Sequence, residues 1–145
     1  MNIFFDVDYT ILGMDDTLRP QTREVFQRLV ADGHRIYIWS GHGIRWGDIR
    51  RHGLADLVVE CYEKPLRDYE KALPELGVPL VPDFAVDDYP EVPSAFGGVW
   101  VPPYYFARYS DQEMERVYRI VQEYTATGTS SDKQFRPRGY KIPLF

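Results

Sequence analysis

The stretch IFFDVDYTIL, Ile3–Leu12, runs from large apolar residues straight into two aspartates and a threonine. From Ile3 to Phe5 no polar residue interrupts the run, the pattern of a strand buried on both faces. Carboxylates are seldom taken out of water unless something pairs with them. Asp6 and Asp8 lie two apart, so on an extended chain they share a face and address one ligand. Thr10 continues the same alternation. A solvated strand end is the plain alternative, and the rest of the chain decides between the two.

Further short apolar runs follow, each separated from the next by an amphipathic stretch. RIYIWS (Arg35–Ser40), LVVE (Leu57–Glu60), DFAVDD (Asp83–Asp88) and GGVWV (Gly97–Val101) read as strands two to five. Between the first two strands, Pro20–Asp32 reads as a helix with Val25, Phe26, Leu29 and Val30 on one face and Gly33 as its stop. Ile44–His52 reads as a short helix. Leu66, Tyr69, Leu73 and Leu76 recur at helical spacing before Gly77, and Met114, Val117, Tyr118, Val121 and Tyr124 stripe a last helix within Asp111–Thr125. Apolar strands that alternate with helices predict an α/β domain: a three-layer, Rossmann-like fold with a five-stranded parallel sheet and helices on both faces. One domain is expected over residues 1–126. From Thr127 the chain turns polar and then basic, and 127–145 reads as a mobile or partner-docked tail.

Composition narrows the function. The 145 residues are 44% hydrophobic and 27% charged, values of an ordinary globular domain. A net charge of −5 argues against general affinity for nucleic acid or anionic membranes. No apolar run approaches the ~20 residues needed to span a bilayer, and the first residues lack the basic flank and apolar core of a signal peptide. Cys61 is the only cysteine, which rules out an internal disulfide and fits a reducing, cytoplasmic setting.

In a parallel α/β sheet, ligands gather beyond the carboxyl ends of the strands. There the first strand offers Asp6 and Asp8, the second Ser40 and Gly41, and the fourth Asp87 and Asp88, while Lys64 follows the third. Two unit charges ~4 Å apart repel by about 4 kcal/mol at an effective dielectric of 20, so four carboxylates in one crevice call for a cation. Oxygen ligands favour a hard ion, Mg2+ above all where a phosphate completes its shell. Lys64 adds a second positive charge for a phosphoryl group.

DVDYT, WSG, Lys64 and VDD, in that order on successive strand ends, resemble the four signature motifs of the haloacid dehalogenase (HAD) superfamily over about residues 1–101. The resemblance implies a Mg2+-dependent phosphatase in which Asp6 is the nucleophile and Asp8 the general acid and base. Thr10 would orient Asp8, Ser40 and Gly41 would hold phosphate oxygens, and Lys64 would neutralise the transferring group. The metal would sit on Asp6, the Asp8 carbonyl, and Asp87 or Asp88. The sequence leaves no room for a cap domain after the first motif or between Lys64 and Asp87, so the resemblance implies a capless member with an open crevice. The substrate would be a phosphorylated small molecule or macromolecule, and a homo-oligomer or a phosphotransferase stays open.

Tyr9 departs from the family pattern, which carries a glycine or another small residue there. The flap Gly13–Pro20, the segment His42–Arg51 with Arg45 and Trp46, and Val101–Tyr109 after the fifth strand are the local candidates for substrate choice. Two other readings compete: a non-catalytic binding module of the same fold, and a receiver-type phospho-acceptor domain. The order of the motifs disfavours the receiver, whose acceptor belongs on its third strand.

Overall fold

The computed structural model describes residues 1–143. The chain is α/β, built on one open, mixed sheet of six strands. Strands β1 (Asn2–Asp6), β2 (Arg35–Ser40), β3 (Val58–Glu63), β4 (Phe84–Asp87) and β5 (Gly98–Trp100) run parallel, and β6 (Phe135–Arg136) is antiparallel to β5. The spatial order is β3-β2-β1-β4-β5-β6. From β1 the chain winds outward through β2 to β3, then returns to the other side of β1 for β4 and β5. A crevice therefore opens at the carboxyl ends of β1 and β4, the position where such sheets take ligands.

Alternation on the central strand divides the core. Ile3 and Phe5 join Val25, Phe26 and Leu29 of α1 (Thr22–Ala31) and the stripe of α5 (Glu113–Thr127), with the Phe5 and Phe26 rings 4.7 Å apart. Phe4 points the other way, into a cluster with Tyr37, Trp39, Leu73, Val92 and Phe96. Burying each such side chain contributes about 1.5–3 kcal/mol. Gly98 opens β5 because a β-carbon there would lie 1.9 Å from the Ala85 carbonyl oxygen of β4. No helix among the described residues is long and apolar enough to cross a membrane.

Three expectations need correction. The helix expected after Pro65 shrinks to one turn, α3 (Tyr69–Ala72), followed by a 3-10 turn at Pro74–Leu76, because Pro74 brings no N–H and Gly77 leaves the helix at φ 73°. A helix not read from the sequence, α4 (Glu91–Phe96), carries Pro93 in its first turn, where the missing N–H costs nothing. The sheet is six-stranded and mixed rather than five-stranded and parallel. Part of the expected tail supplies the extra strand: Phe135 and Arg136 pair with Val99 and Gly98, and the Gln134 side chain donates to the Trp100 carbonyl at 3.0 Å. Without β6, β5 would be an uncovered edge.

Candidate active site

After Asp6 the chain turns back on itself. The backbone N–H groups of Thr10, Ile11 and Leu12 converge on the Val7 carbonyl at 3.0–3.2 Å, and Tyr9 donates to the Leu12 carbonyl at 2.7 Å. Two side chains of that turn then point to different tasks. The Thr10 hydroxyl lies 3.2 Å from an Asp6 oxygen and 3.3 Å from an Asp88 oxygen, and accepts the Asp88 backbone N–H at 3.1 Å. The role expected for Thr10, orienting Asp8, is therefore not what this geometry shows. Thr10 ties β1 to the loop after β4, joining Asp6 to Asp88.

Asp6, Asp87 and Asp88 each bring a carboxylate oxygen to within 4.8 Å of the others. The ammonium of Lys64 lies between two of them, 3.0 Å from Asp6 Oδ1 and 3.0 Å from Asp87 Oδ2. It is carried there because the Lys64 N–H donates to the Ser40 carbonyl, which extends the β2–β3 pairing by one residue. Asp6, Lys64 and Asp87 are all buried. Burial pushes the Asp6 carboxyl up to about 6, against the pull of Lys64. Burial and then the charge of Asp6 raise Asp87 well above the ordinary carboxylate range, although Lys64 and the Tyr89 N–H oppose this. Burial also works against the charged Lys64, but Asp87 and Asp6 outweigh it and raise its pKa.

Three carboxylates against one ammonium leave the cluster short of positive charge, which adds to burial in raising the Asp6 and Asp87 pKa values. A hard divalent cation fits both the donor set and the missing charge. Asp6, Asp87 and Asp88 are the residues placed to hold one.

Asp8 stands apart from this cluster. Arg45 grips it with a two-pronged fork, Nη1 to Oδ2 at 2.7 Å and Nη2 to Oδ1 at 3.0 Å. Such bidentate pairs fix direction as well as distance. Arg45 is itself braced by Asp48 of α2 (Trp46–Arg51), whose oxygen accepts from Nε at 2.5 Å. The hydrogen bonds to Asp8, and then the one to Asp48, raise the pKa of Arg45 further despite its partial burial. Arg45 Nη1 and the His42 backbone N–H also both donate to Ser40 Oγ at 3.1 Å. Ser40 accepts twice, so its own proton is left to donate. Gly41 lies under the Leu66 side chain, which a β-carbon there would meet at 2.7 Å.

Two cavities meet here. The smaller, about 180 Å3, is lined by Asp6, Asp8, Ser40, Gly41, Lys64 and Asp88. It thus gathers the residues expected from the sequence for catalysis, phosphate and metal except Thr10 and Asp87, whose side chains bond to its lining residues. The larger, about 560 Å3, begins at Asp8, Tyr9 and His42 and extends under the flap.

Several other side chains have tasks outside the site. Trp46 donates to Glu60 at 3.0 Å and packs on the core. His34 is buried with Nδ1 3.1 Å from the terminal amine, and burial, then that positive charge, lowers its pKa. Burial pushes the Cys61 thiol up to about 12, which keeps it inert.

Sequence reasoning missed Arg19. It is wholly buried and donates to both oxygens of buried Asp111 at 2.9 and 3.0 Å, to the Thr10 carbonyl at 3.1 Å and to the Pro102 carbonyl at 2.8 Å. An arginine before a proline in a flap reads as solvated, and its partner lies 92 residues away. Arg19 pins the turn that carries Thr10, and through it the acid cluster.

No protein-family model, curated protein or solved structure matches the chain.

Proposed function

We propose that the protein is a Mg2+-dependent phosphatase of the HAD type, capless, with a three-layer Rossmann-like domain. One observation carries the reading. A buried carboxylate, Asp6, lies against an ammonium in a cavity of about 180 Å3, while the carboxylate two residues on, Asp8, is held apart from the acid cluster at the mouth of a larger cleft.

In the first step an Asp6 carboxylate oxygen attacks phosphorus, the bond from phosphorus to the substrate oxygen breaks, and Asp8 gives that oxygen a proton. In the second step Asp8 takes a proton from water as the water oxygen attacks the aspartyl-phosphate. Inorganic phosphate leaves and the Asp6 carboxylate is restored. Dividing the displacement in two replaces one difficult step with two easier ones. Ser40, donating from a fixed hydroxyl, and the Gly41 amide hold phosphate oxygens, and Lys64 offsets the charge that builds on the nucleophile and the transferring group. Asp6, the Asp8 carbonyl, and Asp87 or Asp88 would hold Mg2+, which would supply the positive charge the cluster lacks.

The test is repeated turnover of a simple aryl phosphate in the presence of Mg2+. Many phosphates released per protein, lost with EDTA and lost in Asp6→Asn, support the reading. A single equivalent taken up and retained indicates a phospho-acceptor, and no turnover with the acids intact indicates a binding module.

A further inference from the structure

The larger cleft has a wall, formed by Tyr9 and the flap residues Gly13 and Met14, that the chemistry above does not use. Tyr9 holds φ at 65°, the left-handed region that a tyrosine seldom adopts and a glycine adopts freely. The turn that imposes it is closed on both sides, by the Tyr9 N–H to the Leu12 carbonyl and by the Tyr104 N–H to the Tyr9 carbonyl at 2.9 Å. A residue kept in an unfavourable conformation beside a reactive group is a reason to look for a task for its side chain. The Tyr9 ring packs on Tyr105 with centroids 5.2 Å apart, and it lines both cavities.

The rest of this wall is preformed. The flap is stitched to the segment after β5: Met14 N–H donates to the Tyr105 carbonyl at 2.6 Å and Ala107 N–H to Asp15 at 3.2 Å. Gly13 allows that approach, since a β-carbon there would lie 2.7 Å from the Tyr105 carbonyl oxygen. Met14 and Tyr105 are 62% and 51% exposed at the rim, apolar surface left in water next to the cavity. Sulfur and aromatic faces are favourable partners for a flat ring. Asp8 marks where the substrate oxygen must lie, and the cleft lies beyond it, so the group attached to that oxygen faces Tyr9.

We infer that the 560 Å3 cleft is the leaving-group site and that it takes phosphate monoesters carrying a planar aromatic or heteroaromatic ring, stacked on Tyr9. This rests on the phosphatase reading for the position of the phosphate. The experiment compares benzyl phosphate with ethyl phosphate, both alkyl esters of like reactivity, and measures binding of benzylphosphonate and ethylphosphonate in parallel, all with Mg2+.

The wild-type protein is expected to favour the benzyl compounds at least about tenfold in kcat/KM and in Kd, within the range that ring stacking gives. A cyclohexylmethyl ester, equal in bulk but without π faces, is expected to fall between the two. Tyr9→Phe keeps the preference. Tyr9→Gly, which relieves the backbone and whose fold circular dichroism checks, brings the ratio to within about twofold of one. Equal turnover of benzyl and ethyl esters, or a preference that survives Tyr9→Gly, overturns the inference and leaves the phosphatase reading intact. Tyr9-dependent binding of benzylphosphonate without turnover of any ester supports the ring site and overturns the phosphatase reading. Neither binding nor turnover overturns both.

Discussion

Removing Asp111 strands a buried cation, and the cost follows from the contacts of Arg19. Both side chains of the pair are fully shielded from water. Breaking such a pair by deleting one partner costs about 3–5 kcal/mol, because the remaining charge is uncompensated. Arg19 keeps two carbonyl acceptors, Thr10 and Pro102, which places the loss at the lower end of that range. Asp111 also accepts the backbone N–H of Glu113, the first residue of α5, at 3.1 Å, and losing that adds about 0.5–1.5 kcal/mol. Asp111→Ala should therefore cost about 4 kcal/mol in urea unfolding, and lower Tm by about 12 °C at about 3 °C per kcal/mol for a domain of this size.

Burial works against the charged Asp111 carboxylate, but Arg19 and the Glu113 N–H outweigh it and lower its pKa. A carboxylate with a lowered folded-state pKa stabilises fully above its unfolded value of about 3.9 and loses that contribution as pH falls through the folded value. The gap between wild type and Asp111→Asn should accordingly narrow in acid. A loss below about 1 kcal/mol at neutral pH, or a gap that widens in acid, would refute the assignment of Arg19–Asp111 as the fixed point of the site.

Arg45→Ala removes the fork that aims Asp8 and should lower kcat/KM by about 10^2-fold, the scale of an ångström-sized misplacement; unchanged kinetics would show that Asp8 needs no such guide. Asp6, raised to about 6 from an unfolded value near 3.9, retains a proton in the folded state that the unfolded state has already lost. Stability without metal should therefore fall as pH rises between about 4 and 6, and the Tm gained on adding MgCl2 should grow over the same window as the ion displaces that proton; a gain independent of pH contradicts this. Truncation after Gly128 deletes β6 and the buried Phe135, so it should cost at least about 1.5–3 kcal/mol in denaturant titration and expose β5 to self-association visible by light scattering.

β1, β2 and β4 were legible because the apolar run of each ends in a polar residue, Asp6, Ser40 or Asp87. Arg35–Ser40 matches β2 residue for residue. The acid cluster was legible for the same reason: Asp6 and Asp87 terminate adjacent strands, and topology alone brings them to one rim. What the sequence hid was pairing over distance. Nothing local marks Phe135 as a strand residue, since its partner is the free edge of β5. Arg19 and Arg45 likewise sit in loops, and only folding shows that one is sealed against Asp111 and the other is clamped on Asp8. Thr10 lay on the expected face, but a turn that closes on Val7 swings its hydroxyl to Asp6 and Asp88 instead of Asp8.

The central claim is that Asp6 becomes covalently phosphorylated during turnover. Borohydride added to the protein in steady-state turnover of a phosphate monoester with Mg2+ reduces an aspartyl-phosphate to homoserine, which peptide mass spectrometry locates. Homoserine is expected at position 6, absent without substrate and absent in Asp6→Asn, which also fails to release phosphate. Steady phosphate release with position 6 unmodified, or undiminished release by Asp6→Asn, would contradict it.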